Sequence, residues 1–169
     1  MATETRMPQA GQPAPAFELP DDSGRLRSLA DERGSWLVLY FYPKDDTPGC
    51  ATEACSFRDA NEEILARGAR VLGVSVLDSE SKARFKSKYG LPFDLLADED
   101  HAVAERYGTW VEKINYGKTY MGVQRATLLI DPQGVIRRVW PSVKPDEHVA
   151  QVLDALDEEQ AADTLRASR

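Results

Sequence analysis

Continuous apolar runs and periodic apolar stripes along the chain predict alternating strands and helices. Two runs, at 36–42 (WLVLYFY) and 70–76 (RVLGVSV), are typical of strands covered on both faces. Glycine, proline and periodicity predict the other elements: a hairpin at 17–28, a helix from Pro48 to about Arg67, a helix at 79–89 ended by Gly90, a short strand at 94–96, a short helix at 101–107, a hairpin at 125–140 and a closing helix at 145–156. This order predicts an α/β domain with a mixed sheet.

The chain shows no internal repeat, low-complexity tract or linker, so we expect one domain over residues 1–169. Its Pro/Gly/Ala-rich start, residues 1–12, and its acidic end, residues 158–169, are expected to be loosely ordered. The first residues lack the basic start and apolar stretch of a secretory signal. The cytoplasm is therefore the expected compartment.

The charge balance narrows the classes of partner. The chain carries 21 Lys and Arg against 28 Asp and Glu, a net charge of −7. A phosphate backbone or an anionic membrane surface is held by a cationic face, so we expect neither nucleic acid nor membrane as a partner. No apolar run is long enough to span a bilayer.

The two cysteines, Cys50 and Cys55, are the residues with the most distinctive chemistry. They are too few for a disulfide framework and lack the C-x-x-C spacing of a thioredoxin-type motif. Zinc is a poor interpretation, since His101 and His148 are distant in sequence and no local ligand spacing exists. Two alternatives stay open: a pair of small buried apolar residues, or a reactive pair.

The position of Cys50 favours reactivity. Thr47 followed by Pro48 predicts a helix start, with a hydroxyl at the N-cap and proline at the first helical position. Cys50 then lies in the first turn, where unpaired N–H groups and the helix dipole favour a thiolate. This turn follows a buried strand, at the sheet edge where open α/β folds place their sites.

Cys55 lies five residues further along the same predicted helix. Residues at that spacing are about 8.6 Å apart between Cα atoms, whereas a disulfide needs about 7 Å or less. Ala54, Phe57 and Ile64 form the apolar stripe, which leaves Cys55 near the solvent face. Either Cys55 is incidental, or the first turns of the helix unwind so that it reaches Cys50.

The segment YFYPKDDTPGCATEACSFRD carries a specific resemblance. Proline, three residues, threonine, two residues and cysteine, here Pro43, Thr47 and Cys50, resemble the peroxiredoxin motif. The second cysteine five residues later is similar to the Q-type (bacterioferritin-comigratory-protein) peroxiredoxins. The similarity continues through KYGLPFDLLAD, YGTW, GK-x-Y-x-G, RATLLID and VKPDEH, over residues 11–156. It implies a thioredoxin-like fold with an added N-terminal hairpin.

The resemblance also implies roles for individual residues. Cys50 would be the peroxidatic thiolate and Cys55 the resolving thiol. Thr47 would hydrogen-bond the thiolate and the peroxide, and Pro43 would shield the sulfur. Arg125 matches the arginine that holds the thiolate and polarises the peroxide, although its position alone, at the start of a buried strand, indicates only a solvated charge.

The function implied by the resemblance is a thiol-specific peroxidase in antioxidant defence. It would reduce hydrogen peroxide or organic hydroperoxides through a Cys50–Cys55 disulfide, and thioredoxin or a similar dithiol would recycle it. The resemblance implies no metal, haem or flavin, and a monomer. A redox-sensing module with little turnover is the alternative; a thioredoxin-like reductase ranks last, because C-x-x-C is absent. Two departures from the family pattern, Lys82 and Thr109, match no catalytic position and are expected to affect helix packing or partner fit.

Overall fold

A computed structural model of the chain describes residues 7–168, which form an α/β structure. The strands are β1 (Glu18–Pro20), β2 (Leu26–Ser28), β3 (Trp36–Phe41), β4 (Ala69–Ser75), β5 (Asp94–Ala97), β6 (Trp110–Asn115), β7 (Lys118–Val123), β8 (Ala126–Ile130) and β9 (Ile136–Trp140). The α-helices are α1 (Pro48–Asp59), α2 (Asn61–Ala66), α3 (Ser79–Tyr89), α4 (Ala102–Arg106) and α5 (His148–Ala167), and a 3₁₀ turn spans Leu29–Glu32. Across residues 7–168, no helix combines the length and apolar character that crossing a bilayer requires.

The central sheet has the strand order β5-β4-β3-β8-β9. β4 runs parallel to both β3 and β5, whereas β8 runs antiparallel to both β3 and β9. β1 and β2 pair as a separate antiparallel hairpin. The predicted mixed sheet and N-terminal hairpin are confirmed, as is α3, which ends at Gly90 in the left-handed conformation (φ 60°).

The central strand β3 is apolar throughout because both faces of the sheet are covered. Alternate residues, including Val38 and Tyr40, pack against α1 and α5, while Leu39 and Phe41 pack against α4 and the segment around Phe17. This alternation follows from the period of two along a strand. Since β3 is held on both faces, the chain leaves it at a fixed point and enters α1.

Two elements differ from the sequence prediction. The single helix expected to about Arg67 is two helices, because the backbone at Ala60 (φ −97°, ψ 4°) leaves the helical range. Asp59 and Asn61 flank this break, and such side chains compete with helical backbone hydrogen bonds. The β6–β7 hairpin was not predicted; its turn, Tyr116–Gly117, has positive φ at both residues, and most of its side chains are exposed, which leaves little alternating pattern.

The described parts of the two ends, within residues 7–12 and 158–168, are held by hydrogen bonds or lie in a helix, whereas residues 1–12 and 158–169 were expected to be loosely ordered. Residues 1–6 and 169 lie outside the described residues. Gly11 and Gln12 hydrogen-bond Ile136 on β9 (2.7 and 2.9 Å), because an edge strand offers free backbone groups. At the other end, α5 continues to Ala167, and acidic residues of this stretch form ion pairs with Arg137 and Arg138 on β9.

The two departures from the family pattern are both buried. Thr109 is fully buried and its hydroxyl donates to the backbone oxygen of Ala104 at 3.2 Å. Lys82 is fully buried on α3. Neither side chain reaches the surface.

Candidate active site

Cys50 occupies the first turn of α1. Thr47 is the N-cap residue (φ −84°, ψ 155°) and Pro48 is the first helical residue, which makes Cys50 the third. The Cys50 side chain is only 1% exposed. The first N–H groups of a helix have no intrahelical acceptor, and the dipole is positive at this end, so the position favours an anion. The predicted setting of Cys50 is therefore confirmed.

Arg125 reaches the sulfur of Cys50 from the residue just before the neighbouring strand β8. Ala126, the first residue of β8, pairs with Phe41, the last residue of β3, so Arg125 emerges where the chain turns towards α1. Its Nη2 lies 3.3 Å from Cys50 Sγ. A Cβ at Gly49 would lie 3.1 Å from the same nitrogen, so glycine leaves the guanidinium room to approach. The structure thus brings a cation and the thiol sulfur together.

Glu53 completes this cluster from the next turn of α1. Its Oε1 accepts a hydrogen bond from Arg125 Nη1 at 2.8 Å, and its side chain is fully buried. Oε2 has no hydrogen-bond partner within residues 7–168. Glu53 was not among the site residues predicted from the sequence. The available signal was its spacing of three from Cys50, which places both side chains on one helix face.

Comparison with known proteins identifies the family of this chain. The AhpC/TSA family matches residues 10–139. A putative peroxiredoxin Bcp of Coxiella burnetii is 51% identical over 148 residues, covering 88% of this chain and 98% of that protein. The peroxiredoxin Bcp of Bacillus subtilis is 47% identical over 148 residues, covering 88% and 94%. The chain belongs to the AhpC/TSA family, as a Bcp or Q-type peroxiredoxin.

A solved structure of a relative has the same fold as this chain. The bacterioferritin comigratory protein of Xanthomonas campestris superimposes with a TM-score of 0.81 at 38% identity, covering 85% of this chain and 91% of that one. The thioredoxin-like fold expected from the resemblance is therefore confirmed. Since peroxiredoxins are thiol peroxidases, this chain is a peroxidase of the oxidoreductase class.

The two other motif residues of this peroxiredoxin both precede the first turn of α1. The Thr47 hydroxyl donates to the backbone oxygen of Lys44 at 3.2 Å and makes no side-chain cap bond. Its hydroxyl would have to rotate to donate to the Cys50 sulfur. Pro43 is partly buried in the connection between β3 and α1. Thr47 thus adjoins the turn that holds Cys50, Pro43 lies four residues earlier in the chain, and the roles of both stay predictions.

Cys55 lies on the same unbroken helix as Cys50 but is less buried. Both cysteines are free thiols, and Cys55 is partly exposed. Because α1 is continuous from Pro48 to Asp59, the spacing of five residues keeps their Cα atoms about 8.6 Å apart. The two sulfurs cannot bond while α1 keeps this form.

The electrostatics of Glu53 are unusual for a carboxyl group. Burial raises the pKa of Glu53 from its ordinary 4.5 to about 7, although the charge of Arg125 and its hydrogen bond oppose the shift. At neutral pH this carboxyl is therefore partly protonated. An ionised Glu53 carboxylate offsets part of the positive charge of Arg125. When Glu53 is protonated, more of that charge acts on the Cys50 sulfur.

We expect the stability to depend on pH through Glu53. Between about pH 4.5 and 7 the folded protein holds a proton that the unfolded chain has lost, so the free energy of unfolding should fall as pH rises. Over this pH range, the free energy of unfolding of the wild-type protein should fall by about 3 kcal/mol more than that of Glu53→Gln. Urea unfolding at pH 4.5 and 7.5 measures it, with Glu63→Gln as an exposed control. A pH-independent difference between wild type and Glu53→Gln contradicts the prediction.

Proposed function

We propose that this peroxiredoxin reduces hydrogen peroxide and organic hydroperoxides with Cys50 as the peroxidatic thiolate and Cys55 as the resolving thiol. The observation that carries the proposal is the 3.3 Å contact between Arg125 Nη2 and Cys50 Sγ in a buried helix N-terminus. A thiolate in this setting is stabilised by a cation and by helix N–H groups. Those same groups are placed to bind the oxygens of a peroxide.

In the first step the Cys50 thiolate attacks the terminal oxygen of the peroxide. The S–O bond forms as the O–O bond breaks, the departing alkoxide or hydroxide takes a proton from solvent to leave as alcohol or water, and Cys50, which keeps the terminal hydroxyl of the peroxide, becomes a sulfenic acid. Arg125 and the first-turn N–H groups stabilise the charge that develops on the oxygens. Thr47 supplies a further hydroxyl donor, and Pro43 shields the sulfur from bulk water.

Organic hydroperoxides are proposed as substrates alongside hydrogen peroxide. An open groove lined by Pro48, Gly49, Thr52, Pro145 and Asp146 borders the first turn of α1 and offers room for a substituent on the peroxide. The Xanthomonas campestris relative is described as having alkyl peroxide reduction activity. Both observations support an alkyl group lying along this groove while the terminal oxygen reaches Cys50.

In the second step the N-terminal turns of α1 unwind so that Cys55 reaches Cys50. The Cys55 thiolate attacks the sulfenic sulfur, the S–S bond forms, and the departing hydroxide takes a proton to become water. A thioredoxin-type dithiol then restores both thiols by exchange. The partly exposed position of Cys55 supports this role, since the thiol is free of core packing.

We also propose that the chain acts as a single-domain monomer in the cytoplasm. The proposed peroxidatic and resolving thiols lie on one helix, so the cycle needs no residue from a second subunit. A disulfide that is made and reduced in each cycle suits a compartment with a reducing thiol pool.

A recycling assay tests the proposed function. With thioredoxin, thioredoxin reductase and NADPH, the wild-type protein should consume many equivalents of peroxide. Cys55→Ser should lower the steady-state rate by about tenfold or more, because the attacking thiolate is lost. Ser56→Ala, a small change in the same helix, should leave the rate within about twofold. Wild-type turnover by Cys55→Ser would exclude Cys55 as the resolving thiol, and failure of the wild type to turn over would exclude this reductant.

A further inference from the structure

A buried charged cluster lies just before α1, outside the residues that the proposed cycle uses. At its centre is Asp45, whose side chain is 3% exposed and accepts hydrogen bonds from Tyr42 Oη at 2.6 Å and Ser81 Oγ at 2.7 Å. Lys82 Nζ lies 3.2 Å from Asp45 Oδ2 and donates to Ser75 Oγ at 2.7 Å. Because Ser81 and Lys82 belong to α3, this cluster ties the approach to α1 to a neighbouring helix.

The next residue, Asp46, makes a second tie to the same helix. Its carboxylate accepts hydrogen bonds from Lys88 Nζ at 2.7 Å and Tyr89 Oη at 2.6 Å. Its backbone has a φ of 61°, a conformation that L-residues rarely adopt. Lys88 and Asp46 are solvent-exposed, so this tie is the weaker of the two.

The buried tie depends on both of its charged partners. Burial lowers the pKa of Lys82, and the negative charge of Asp45 opposes that shift. Removing either member leaves the other buried without its counter-charge, which is strongly unfavourable. The pair therefore holds residue 45 in one place relative to α3.

This fixed point bears directly on the unwinding that the proposed cycle requires. If unwinding includes residues 45 and 46, it breaks the contacts with α3. If it stops short of them, only Thr47, Pro48 and Gly49 separate Asp46 from Cys50, and the Cα atoms of those two residues can then be at most about 14 Å apart. In either case the cluster disfavours the unwound form of α1 and returns Cys50 to Arg125.

We propose that Asp45 and Lys82 are positioning residues that hold the start of α1 and thereby set how the Cys50 sulfenic acid divides between two fates. The inference rests on the proposed function of Cys50 and Cys55. Without the ion pair between Asp45 and Lys82, the unwound form of α1 is more populated, and a larger share of the Cys50 sulfenic acid becomes the disulfide. With the tie, Cys50 stays longer beside Arg125, where a second peroxide binds.

The two fates are distinct reactions of the same sulfur. In the unwound form the Cys55 thiolate forms the S–S bond, the S–O bond breaks, and hydroxide leaves as water after taking a proton. In the folded form the sulfenate attacks a second hydroperoxide: a second S–O bond forms, the O–O bond breaks, sulfur is oxidised to the sulfinate, and the peroxide is reduced to alcohol or water. Their ratio at a given peroxide concentration reports the folded fraction of α1.

Intact-mass analysis of the full chain, oxidised with a graded series of hydrogen peroxide without reductant, tests the proposal. Lys82→Met should lower the ratio of Cys50 sulfinate to Cys50–Cys55 disulfide by about tenfold or more, because the hydrogen bonds of Lys82 Nζ to Asp45 and Ser75 are lost and one charge-assisted hydrogen bond alone is worth about that factor. The rate of first oxidation should stay within about twofold, because the folded form still dominates. A general loss of structure would slow that first step instead.

Lys86→Met is the matched control, since it removes the same charge from α3 but breaks ion pairs with Asp22 and Asp94 instead of the tie to residue 45. Its ratio should remain that of the wild type. Asp45→Asn, which keeps the side-chain shape, should also lower the ratio of sulfinate to disulfide. If Lys82→Met does not fold, Asp45→Asn is measured in its place. An unchanged or higher ratio in a folded variant overturns the proposal. Absence of both products in the wild type would instead overturn the proposed function.

Discussion

Replacing Cys50 with serine is expected to slow the reaction with hydrogen peroxide on the order of 10⁴-fold, to the rate of an unactivated thiol. The substitution removes the sulfur that Arg125 Nη2 contacts at 3.3 Å and that the proposed cycle uses as its nucleophile. Cys55 would remain as the only thiol, on a partly exposed face of α1. Quenched-flow mass spectrometry with limiting peroxide measures the loss of reduced protein.

The matched control for this variant is Cys55→Ser, the same substitution on the same helix. Its first oxidation should proceed within about twofold of the wild-type rate, because Cys55 makes no part of the Arg125 cluster. It should accumulate the sulfenic acid or its over-oxidised products in place of the disulfide. If Cys50→Ser reacts as fast as the wild type, Cys50 is not the peroxidatic residue.

Replacing Arg125 with methionine is expected to slow the first oxidation by about 100- to 1,000-fold, the usual cost of removing one preorganised donor to a developing charge. Methionine keeps much of the length and apolar character of the side chain but removes the nitrogen that lies 3.3 Å from Cys50 Sγ. It also leaves Glu53 buried without its cation. The second-order rate constant for oxidation of Cys50 measures the effect.

Two variants separate the chemical role of Arg125 from packing and charge. Arg125→Lys keeps a positive charge but cannot contact Cys50 and Glu53 through two nitrogens of a planar fork, so its rate should fall between those of the wild type and Arg125→Met. Arg84→Met removes an arginine from the exposed face of α3 and should leave the rate unchanged. A wild-type rate for Arg125→Met would exclude Arg125 from stabilising the reaction.

The elements predicted most accurately were those with strong local signals. β3 is apolar at every position and ends just before a proline, and α3 has both an aspartate at its N-cap and a glycine at its end. Cys50 could also be placed from local features, because a threonine and a proline mark the start of α1. These signals act over a few residues, so a single sequence contains them.

The missed features depend on contacts between distant segments. The place of Glu53 in the site depends on its hydrogen bond with Arg125, which lies 72 residues later in the chain and meets Glu53 only in the folded protein. Lys82 resembles a surface lysine on α3 until the fold places Asp45 and Ser75 beside its Nζ. The β6–β7 hairpin projects with most of its side chains exposed, so neither of its faces shows an apolar pattern.

For the proposed cycle we claim that Cys50 is an activated thiol with Cys55 as its resolving partner. Intact-mass analysis of the reduced wild-type protein, alkylated seconds after addition of less than one equivalent of hydrogen peroxide, tests it most directly. We predict loss of both alkylation sites in a fraction of molecules equal to the peroxide added, with a Cys50–Cys55 cross-link in the peptide map. Complete alkylation of both cysteines would contradict the claim.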